Sequence, residues 1–257
     1  MSIRYNKING IEQKSFRYIN GLRKCCKYDG VNDIAMRTNI TLANIGTIIG
    51  TGTATTLYIK LKFTSTGTAQ RLFSSTSLSQ AIPFFSFNIV HVDSNNFYFN
   101  FQFRNGSSVL ATFRTDNLLY SSYTEVTEVA FRLVNSTTMV VDINGTDFST
   151  TLTGTMTNLN TLSSLTDYRL FAGSFIGAAS SSPVVQMFSG HMIDIATFPA
   201  QSYTISQCKS NISNASVRYK FNEALGSTCY NHGTTIGSFN LTYTNITESS
   251  FHTLIKE

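Results

Sequence analysis

One short stretch in which phenylalanine alternates with polar residues constrains the fold more than any other feature of the chain. Every second residue is phenylalanine, at positions Phe97, Phe99, Phe101 and Phe103. Successive side chains of a β-strand point to opposite faces, so a period of two places all four rings on one face. The stretch is therefore predicted to be a central strand that lies over the core of a β-sandwich.

Other segments with the same period extend this prediction to an all-β chain. Further strands are predicted at residues 57–63, 129–133, 139–143, 168–172, 184–188, 191–198 and 217–221. Asn144-Gly145 is typical of a tight hairpin turn. One helix is predicted, at about residues 204–208, whereas residues 38–56 are predicted to be a loop or loose edge strand and residues 178–182 a loop.

Four motifs occur in a consistent order along the chain. They are KYDGVNDI at residues 27–34, TMVVDING at 138–145, GHMIDIATFPAQSYTISQC at 190–208 and YKFNEALGSTCYNHG at 219–233. Together they resemble signatures of laminin-G-like, concanavalin A-like jelly rolls, across roughly residues 25 to 245. The resemblance implies an antiparallel two-sheet jelly roll with a short N-terminal arm.

The FNE motif at residues 221–223 departs from the family pattern, because in that family it usually opens the domain. Either the strand order is permuted, or residues 215–257 are a strand pair added after the sandwich. The predicted division is an attachment arm at residues 1–26 and a jelly roll at 27–257, which includes a C-terminal strand pair at about 215–257.

The positive charge is concentrated near the N-terminus. Residues 1–40 carry eight basic and three acidic residues, which accounts for the whole net charge of +5. A basic segment can bind nucleic acid or another anionic surface. The isoleucine and tyrosine residues of the arm favour packing on protein, so nucleic acid is the less favoured partner. The residues predicted to attach the arm to a larger particle are Arg4, Tyr5, Lys7, Arg17, Tyr18, Arg23 and Lys24.

The four cysteines are Cys25, Cys26, Cys208 and Cys229. They lack the CxxC spacing of a metal site. Buried free thiols are the favoured state, although a bridge between Cys208 and Cys229, or from Cys25 or Cys26 to Cys229, stays open.

Catalysis is not expected. Retaining glycosidases need two carboxyl groups about 5 Å apart. Glu125 and Glu128 are the only close pair of glutamates, and their spacing is predicted to place them on opposite faces of a strand. No G-x-S-x-G nucleophile motif is present.

Calcium is the one metal that the resemblance suggests, because some relatives bind it in edge loops through oxygen ligands. The candidate ligands are Asp29, Asp33, Asn222 and Glu223. Capping of turns by hydrogen bonds to backbone amides is the favoured alternative for these side chains. No cofactor is therefore predicted, with Ca²⁺ kept as the alternative.

Glycan binding is what the resemblance to this family implies. The chain has no tryptophan for stacking on a sugar, so tyrosines are the candidate platforms. Tyr98, Tyr120 and Tyr123 are the predicted ligand-binding residues, with Tyr120 and Tyr123 as the best exposed pair.

The sequence shows no apolar segment long enough to cross a membrane and no apolar core of a secretory signal at its start. The family usually acts outside cells. A bacteriophage virion protein fits both the lack of a secretory signal and a role outside cells, because it is assembled inside the host and released by lysis. The prediction is therefore a non-enzymatic fibre or capsid decoration that docks on other virion proteins through its arm and adheres to host glycans. The alternative is a lectin-like carbohydrate-binding module of a secreted bacterial protein. Homo-oligomerisation is left open.

The virion interpretation predicts that the chain is a stoichiometric component of purified, nuclease-treated particles, with an intact N-terminus. Mass spectrometry of the particles beside the clarified medium measures this. Deletion of residues 1–27 is expected to abolish attachment, and a truncated chain that still copurifies with particles would contradict the docking role of the arm.

Overall fold

A computed structural model describes residues 5–8, 11–14, 22–50, 54–77, 83–105, 108–156, 168–173, 186–222, 227–235, 238–244, 246 and 253–256. The first part of the chain forms strands β1 to β10. These are Tyr5–Ile8, Ile11–Lys14, Leu22–Asp29, Ile34–Ile40, Thr55–Phe63, Gln70–Ser77, Pro83–His91, Asn96–Asn105, Ser108–Thr115 and Leu118–Leu119. The second part forms strands β11 to β19. These are Thr127–Asn135, Thr138–Ile143, Thr146–Gly154, Tyr168–Ala172, Ser189–Pro199, Val217–Tyr219, Thr228–Cys229, Leu241–Thr244 and Thr253–Lys256. Helix α1 spans Leu42–Ile49 and helix α2 spans Ile205–Ser210.

Two antiparallel sheets form the sandwich, which confirms the predicted jelly roll. Sheet I runs from β15 through β5, β11 and β12 to the first half of β13, with β3 and β16 paired to different parts of β15. Sheet II has the order β17, β18, β4, β14, β6, β7, β8, β9 and the second half of β13. Strand β13 thus belongs to both sheets, since Val141 faces Phe148 in sheet I and Phe113 faces Leu152 in sheet II.

The aromatic face of β8 lies at the centre of the core, as its alternation predicts. Its four phenylalanines are almost completely buried. Phe101 stacks on Phe87 of the neighbouring strand with ring centroids 4.5 Å apart. Phe99 and Phe87 also contact Phe131 of sheet I edge to face, at 5.5 and 5.1 Å. Such aromatic pairs add to the hydrophobic gain of burial, so these rings join the two sheets.

Helix α1 was not predicted, because the threonines and glycines of residues 38–56 suggested a loop or loose edge strand. A capping box begins the helix: the Thr41 hydroxyl accepts from the Asn44 amide, and the Asn44 side chain accepts from the Thr41 amide. Ile45, Ile48 and Ile49 are buried in the core. This i, i+3, i+4 spacing packs one face of a short helix against the end of the sandwich.

Helix α2 confirms the helix predicted at about residues 204–208. Thr204 and Gln207 form its capping box. Ile205 and Cys208 pack on the outer face of sheet I beside Tyr58. The buried carboxylate of Asp142 accepts from the Ile205 amide at 2.8 Å, which ties the helix to β12.

The strand predicted at residues 184–188 is wrong over its described part. Residues 186–188 are not in a strand, and residues 184 and 185 lie outside the described residues, as does the loop predicted at 178–182. Met187 packs with Ile34 and Phe171 in a small apolar cluster instead of joining a ladder. Apolar residues that cover a sheet give the same sequence pattern as apolar residues within one.

The C-terminal strands divide between the two sheets. Val217–Tyr219 pairs with β15 in sheet I, whereas Leu241–Thr244 pairs with β4 in sheet II. The described strands after residue 215 therefore complete the sandwich, and they do not form a separate pair beside it. The last strand, β19, pairs with the first half of β3.

The N-terminal arm is described in part. Tyr5 and Lys7 lie in a two-stranded hairpin formed by β1 and β2, while Arg4, Arg17 and Tyr18 lie outside the described residues. Arg23 and Lys24 belong to β3. This strand spans the predicted boundary between arm and jelly roll, and the division itself stays a prediction.

All four cysteines are buried thiols that form no disulfide, as favoured from the sequence. Cys208 lies on the buried face of α2, while Cys229 lies in the main core between the sheets. Burial raises the pKa of the Cys208 thiol to about 12, which keeps the group protonated and poorly nucleophilic at neutral pH.

Asn231 holds the corner formed by the C-terminal motif. Its side-chain oxygen accepts from the amides of Arg218 and Gly233, both at 2.9 Å. Its amino group donates to the carbonyls of Thr235 and Ser238, both at 3.0 Å. The side chain is buried, with 3% exposed. A residue with both a donor and an acceptor is therefore required at this position.

Asn231→Ala is expected to lower the free energy of unfolding by about 3 kcal/mol, because several buried backbone groups lose their partners. Asn231→Asp is expected to cost at least as much at pH 7, since an oxygen then faces two carbonyls. Urea denaturation measures both losses. Asn214→Ala, at an exposed position, is the control, and equal stability of all three variants would contradict the role of this corner.

Candidate functional site

Two rows of polar side chains cross five strands on the outer face of sheet II. Because the phenylalanines of β8 point into the core, its intervening residues point outward. The strand register continues each outward position onto the neighbouring strands. The first row is Arg71, Asn88, Asn100, Arg114 and Thr151. The second row is Ser74, Ser86, Gln102, Thr112 and Thr153. We call this surface the two-row face.

The members of both rows on β6 and β7 are buried, Asn100 on β8 is 4% exposed, and the far ends of the rows are exposed. Ser74, Ser86 and Asn88 are fully buried, and Arg71 is only 8% exposed. Gln102 and Thr112 are half-buried. The last members of the rows, on β9 and β13, are exposed: Arg114, Thr151 and Thr153. The buried end can therefore orient side chains that the exposed end presents to solvent.

A directed chain of hydrogen bonds runs along the first row. Arg71 donates from Nη1 to Asn88 Oδ1, and Asn88 Nδ2 donates to Asn100 Oδ1. Arg71 also donates to Ser86 Oγ at 2.8 Å. A guanidinium has donors only, so it sets the orientation of the first amide, which in turn sets the second. Asn100 consequently turns its oxygen towards β7 and retains its amino group as a donor.

Arg114 lies opposite Asn100 on β9, and its guanidinium is held in place. Its central carbon lies 3.9 Å from the centroid of the Tyr98 ring. Its Nη2 donates to Asn117 Oδ1 at 2.9 Å. The cation–π contact and the hydrogen bond together restrict a side chain that would otherwise move freely at the surface.

The two sheets differ in how their charges are compensated. The five ion pairs among described residues all join groups on or beside sheet I: Lys60–Glu128, Lys62–Glu125, Arg132–Asp147, Lys209–Glu128 and Arg218–Asp194. The described strands of sheet II, with β13 counted from residue 150, contain arginines but no aspartate, glutamate or lysine. The acidic residue nearest to Arg114 in sequence is Asp116, in the turn after β9. The described strands that build the two-row face therefore carry positively charged side chains and no carboxylate.

The three predicted tyrosines do not form one platform. Tyr120 and Tyr123 were expected to be an exposed pair, but both are half-buried. Their rings pack against Phe97, with centroids 4.7 and 5.6 Å apart. Burial raises the pKa of both phenols. Only Tyr98 lies on the two-row face, and a role of any of the three in sugar binding stays a prediction.

The candidate metal ligands Asp29 and Asp33 accept backbone hydrogen bonds. Asp29 Oδ1 accepts from the amides of Val31 and Asn32 at 2.7 and 3.2 Å, and Asp33 Oδ2 accepts from the Asp29 amide at 2.8 Å. All three hydrogen bonds belong to the turn between β3 and β4.

The second motif reaches the same part of the fold. The Tyr28 and Phe221 rings contact edge to face at 6.5 Å, so exposed Asn222 follows a residue packed against this turn. Glu223 lies outside the described residues. Among the described residues, no group of three or more His, Cys, Asp or Glu is arranged to hold a metal ion. Calcium binding stays a prediction.

The two close glutamates lie on the same face of sheet I, and the expectation of opposite faces was wrong. Glu125 precedes β11, so the alternation of the strand does not apply to it. Glu128 contacts Lys60 and Lys209, and Glu125 contacts Lys62. Both carboxylates are thus engaged in ion pairs.

No family model matches the chain, and no curated protein sequence does so either. Solved structures are similar to it in fold. The heptameric pentraxin of Limulus polyphemus is 12% identical over 76% of this chain and 84% of that chain, with a TM-score of 0.47. The CBM40 of a Ruminococcus gnavus IT-sialidase, bound to α2,6-sialyllactose, is 12% identical over 72% and 94%, with a TM-score of 0.46.

A tailspike protein of Escherichia coli O157:H7 bacteriophage CAB120 is 10% identical over 76% of this chain and 27% of that chain, with a TM-score of 0.41. These likenesses concern the jelly-roll fold. What those proteins bind or assemble with is not transferred to this chain by them.

Sequence reasoning identified Tyr98 but missed its partner Arg114 and both amides of the first row. One sequence signal could have pointed to a surface with few carboxylates: Asp93 is the only acidic residue between positions 34 and 115. The alternation along β8 also places Asn100 and Gln102 beside Tyr98. The partners on other strands depend on register, which a single sequence does not specify.

Asp33→Asn is expected to be at least as stable as the parent at pH 7. Burial raises the pKa of the Asp33 carboxyl; the hydrogen bond from the Asp29 amide offsets part of this rise, and the charge of the Asp29 carboxylate adds to it. The folded state therefore holds the proton more tightly, so the carboxyl's contribution to stability is greatest at low pH and declines as pH rises above about 4. The asparagine retains an acceptor for the Asp29 amide and removes this penalty.

The measurement is urea denaturation at pH 4 and pH 7. The stability of the variant relative to the parent should be greater at pH 7. Asp33→Ala, which loses the acceptor, should be less stable than the parent by about 1 kcal/mol. A penalty for Asp33→Asn that grows with pH would contradict this account.

Proposed function

We propose that this chain is a non-enzymatic, lectin-like carbohydrate-binding module whose ligand lies on the exposed half of the two-row face. The observation that carries the proposal is the two-row face itself, with Arg114 held over the ring of Tyr98. The exposed half combines amide, guanidinium and hydroxyl groups on a rigid sheet. Sugars present many hydroxyl groups, each of which donates and accepts, so a fixed array of such side chains suits them.

Pre-organisation supports this assignment. The Asn100 side chain is oriented by the chain of hydrogen bonds from buried Arg71. Arg114 is restricted by Tyr98 and Asn117. Groups that are already ordered lose little conformational entropy when a ligand binds. Polar surface residues that serve only solubility do not need such restraint.

The dimensions of the surface suit an oligosaccharide. Neighbouring strands lie about 4.8 Å apart, so the rows cross about 19 Å of sheet from β6 to β13. The accessible part extends from half-buried Gln102 on β8 to β13, about 10 Å, which accommodates two or three sugar residues. Arg114, Thr151 and Thr153 are exposed, so a terminal or internal portion of a longer glycan can reach this end of the rows.

The proposal also states that the chain binds its ligand without catalysing a reaction. The two close glutamates are engaged with lysines on sheet I, on the other side of the molecule from the two-row face. The strands that build the two-row face provide no carboxylate as a general acid, base or nucleophile.

Attachment to a virion is a separate proposal for the N-terminal arm. Its support is the concentration of basic residues before position 40 and the hairpin of β1 and β2. A fibre or capsid decoration would use the arm for docking and the two-row face for adhesion. Location on a virion or at a bacterial surface stays a prediction.

A glycan array probed with the purified full chain is expected to show selective binding. Tyr98→Ala is expected to weaken the strongest signals about tenfold, because it removes the support of Arg114 together with an aromatic contact. Tyr230→Ala, at an exposed tyrosine outside the two-row face, is the matched control and should bind like the parent.

Thermal melting of both variants shows whether each one remains folded. A flat array for the parent would contradict glycan binding. Equal loss of binding in the folded Tyr98→Ala and Tyr230→Ala variants would contradict the assignment to the two-row face.

A further inference from the structure

The first row ends in two neighbouring groups that both donate hydrogen bonds. Asn100 accepts from Asn88 through its oxygen, which leaves its amino group as the free end of the chain. Asn100 makes no other side-chain hydrogen bond to a described residue. Arg114 stands directly opposite on β9. Side chains opposite each other in an antiparallel pair have Cβ atoms about 5 Å apart.

The orientation of the two side-chain amides in the first row follows from which groups can donate and which can accept hydrogen bonds. Arg71 has no acceptor atom, so the two asparagines of the row must both turn their oxygens towards it. With the opposite orientation, the oxygen of Asn100 would face Arg114 and the row would be satisfied internally. Instead an amino group and a guanidinium lie side by side, and a ligand must supply the acceptor for both.

The charge around this pair selects the kind of acceptor. Arg114 is exposed, its Nη2 alone is engaged with a side-chain oxygen, and Tyr98 supports it from one side. Arg71 adds a second positive charge at the buried end of the same row. On sheet I, by contrast, Arg132 and Arg218 each contact an aspartate at 2.6 and 2.7 Å.

We propose that the two-row face binds an acidic glycan, with the carboxylate or sulfate of one sugar received between Asn100 Nδ2 and the Arg114 guanidinium. This inference rests on the proposed carbohydrate-binding function and names its ligand class. A planar guanidinium forms paired hydrogen bonds with an oxyanion, and such charge-assisted bonds are stronger than those to a neutral hydroxyl. The neighbouring row, with Gln102 and Thr112, contacts the hydroxyl groups of the same glycan.

The first test is an array that holds carboxylated glycans, sulfated glycans and their neutral parents, probed at about 50 and 300 mM NaCl. Signals are expected on one or both acidic sets, and the pattern between the two sets identifies the anionic group. They should weaken at the higher salt concentration, because an exposed ion pair is screened. Salt-independent binding to neutral parents and acidic forms alike would overturn the inference.

Two variants test the geometry with little change of shape. Asn100→Asp still accepts from Asn88 but replaces the free donor with a charged acceptor, so it should weaken acidic-glycan binding tenfold or more. Arg114→Gln should do the same. Arg132→Gln, which removes an arginine paired with Asp147 on sheet I, is the control and should retain the parent's affinity.

Titration of the strongest acidic array glycan and of its neutral parent separates this inference from the proposed function. If the neutral parent binds equally well and Tyr98→Ala abolishes both, the two-row face binds carbohydrate but has no anion site. If neither binds at any concentration, both proposals fail. Melting temperatures close to the parent's show that a loss in Asn100→Asp or Arg114→Gln does not come from unfolding.

Discussion

Face-to-face packing of the two sheets through phenylalanine rings is the contact on which the rest of the structure depends. Phe87 and Phe99 of sheet II meet Phe131 of sheet I, and Phe97 meets Phe63 at 5.2 Å. These rings bury most of their surface only when the sheets are stacked, so neither sheet is expected to hold its shape alone. The short helix α1 closes one end of this core with three isoleucines.

The same alternation that builds the core creates the two-row face. Once every second side chain of β7, β8 and β9 points inward, the residues between them must share the opposite face. On sheet I that opposite face is covered in part by α2 and carries paired charges. On sheet II it carries amides, hydroxyl groups and arginines on strands without a carboxylate. The two outer faces thus have different chemistry although they arise from the same strand geometry.

Particular elements show where sequence reasoning succeeded and where it did not. Strand β14 and the Asn144-Gly145 turn were predicted with their observed bounds, because a period of two and a positive-φ turn are local properties. Helix α1 was missed because eight residues that contain threonine and glycine have a weak helical signal until their isoleucines meet a core. Residues 186–188 were taken for part of a strand because covering and pairing segments are equally apolar.

The sequence by itself determined the all-β class, the inward face of each strand and the presence of Tyr98, Asn100 and Gln102 on the outward one. Those properties depend on neighbours along the chain, which periodicity records. Only the tertiary structure decided that Arg71, Asn88, Asn100 and Arg114 form one row, because they come from four strands aligned by register. It also decided the direction of the hydrogen bonds along that row. A donor-only arginine at the buried end orients each amide in turn, and this requires atoms brought together by folding.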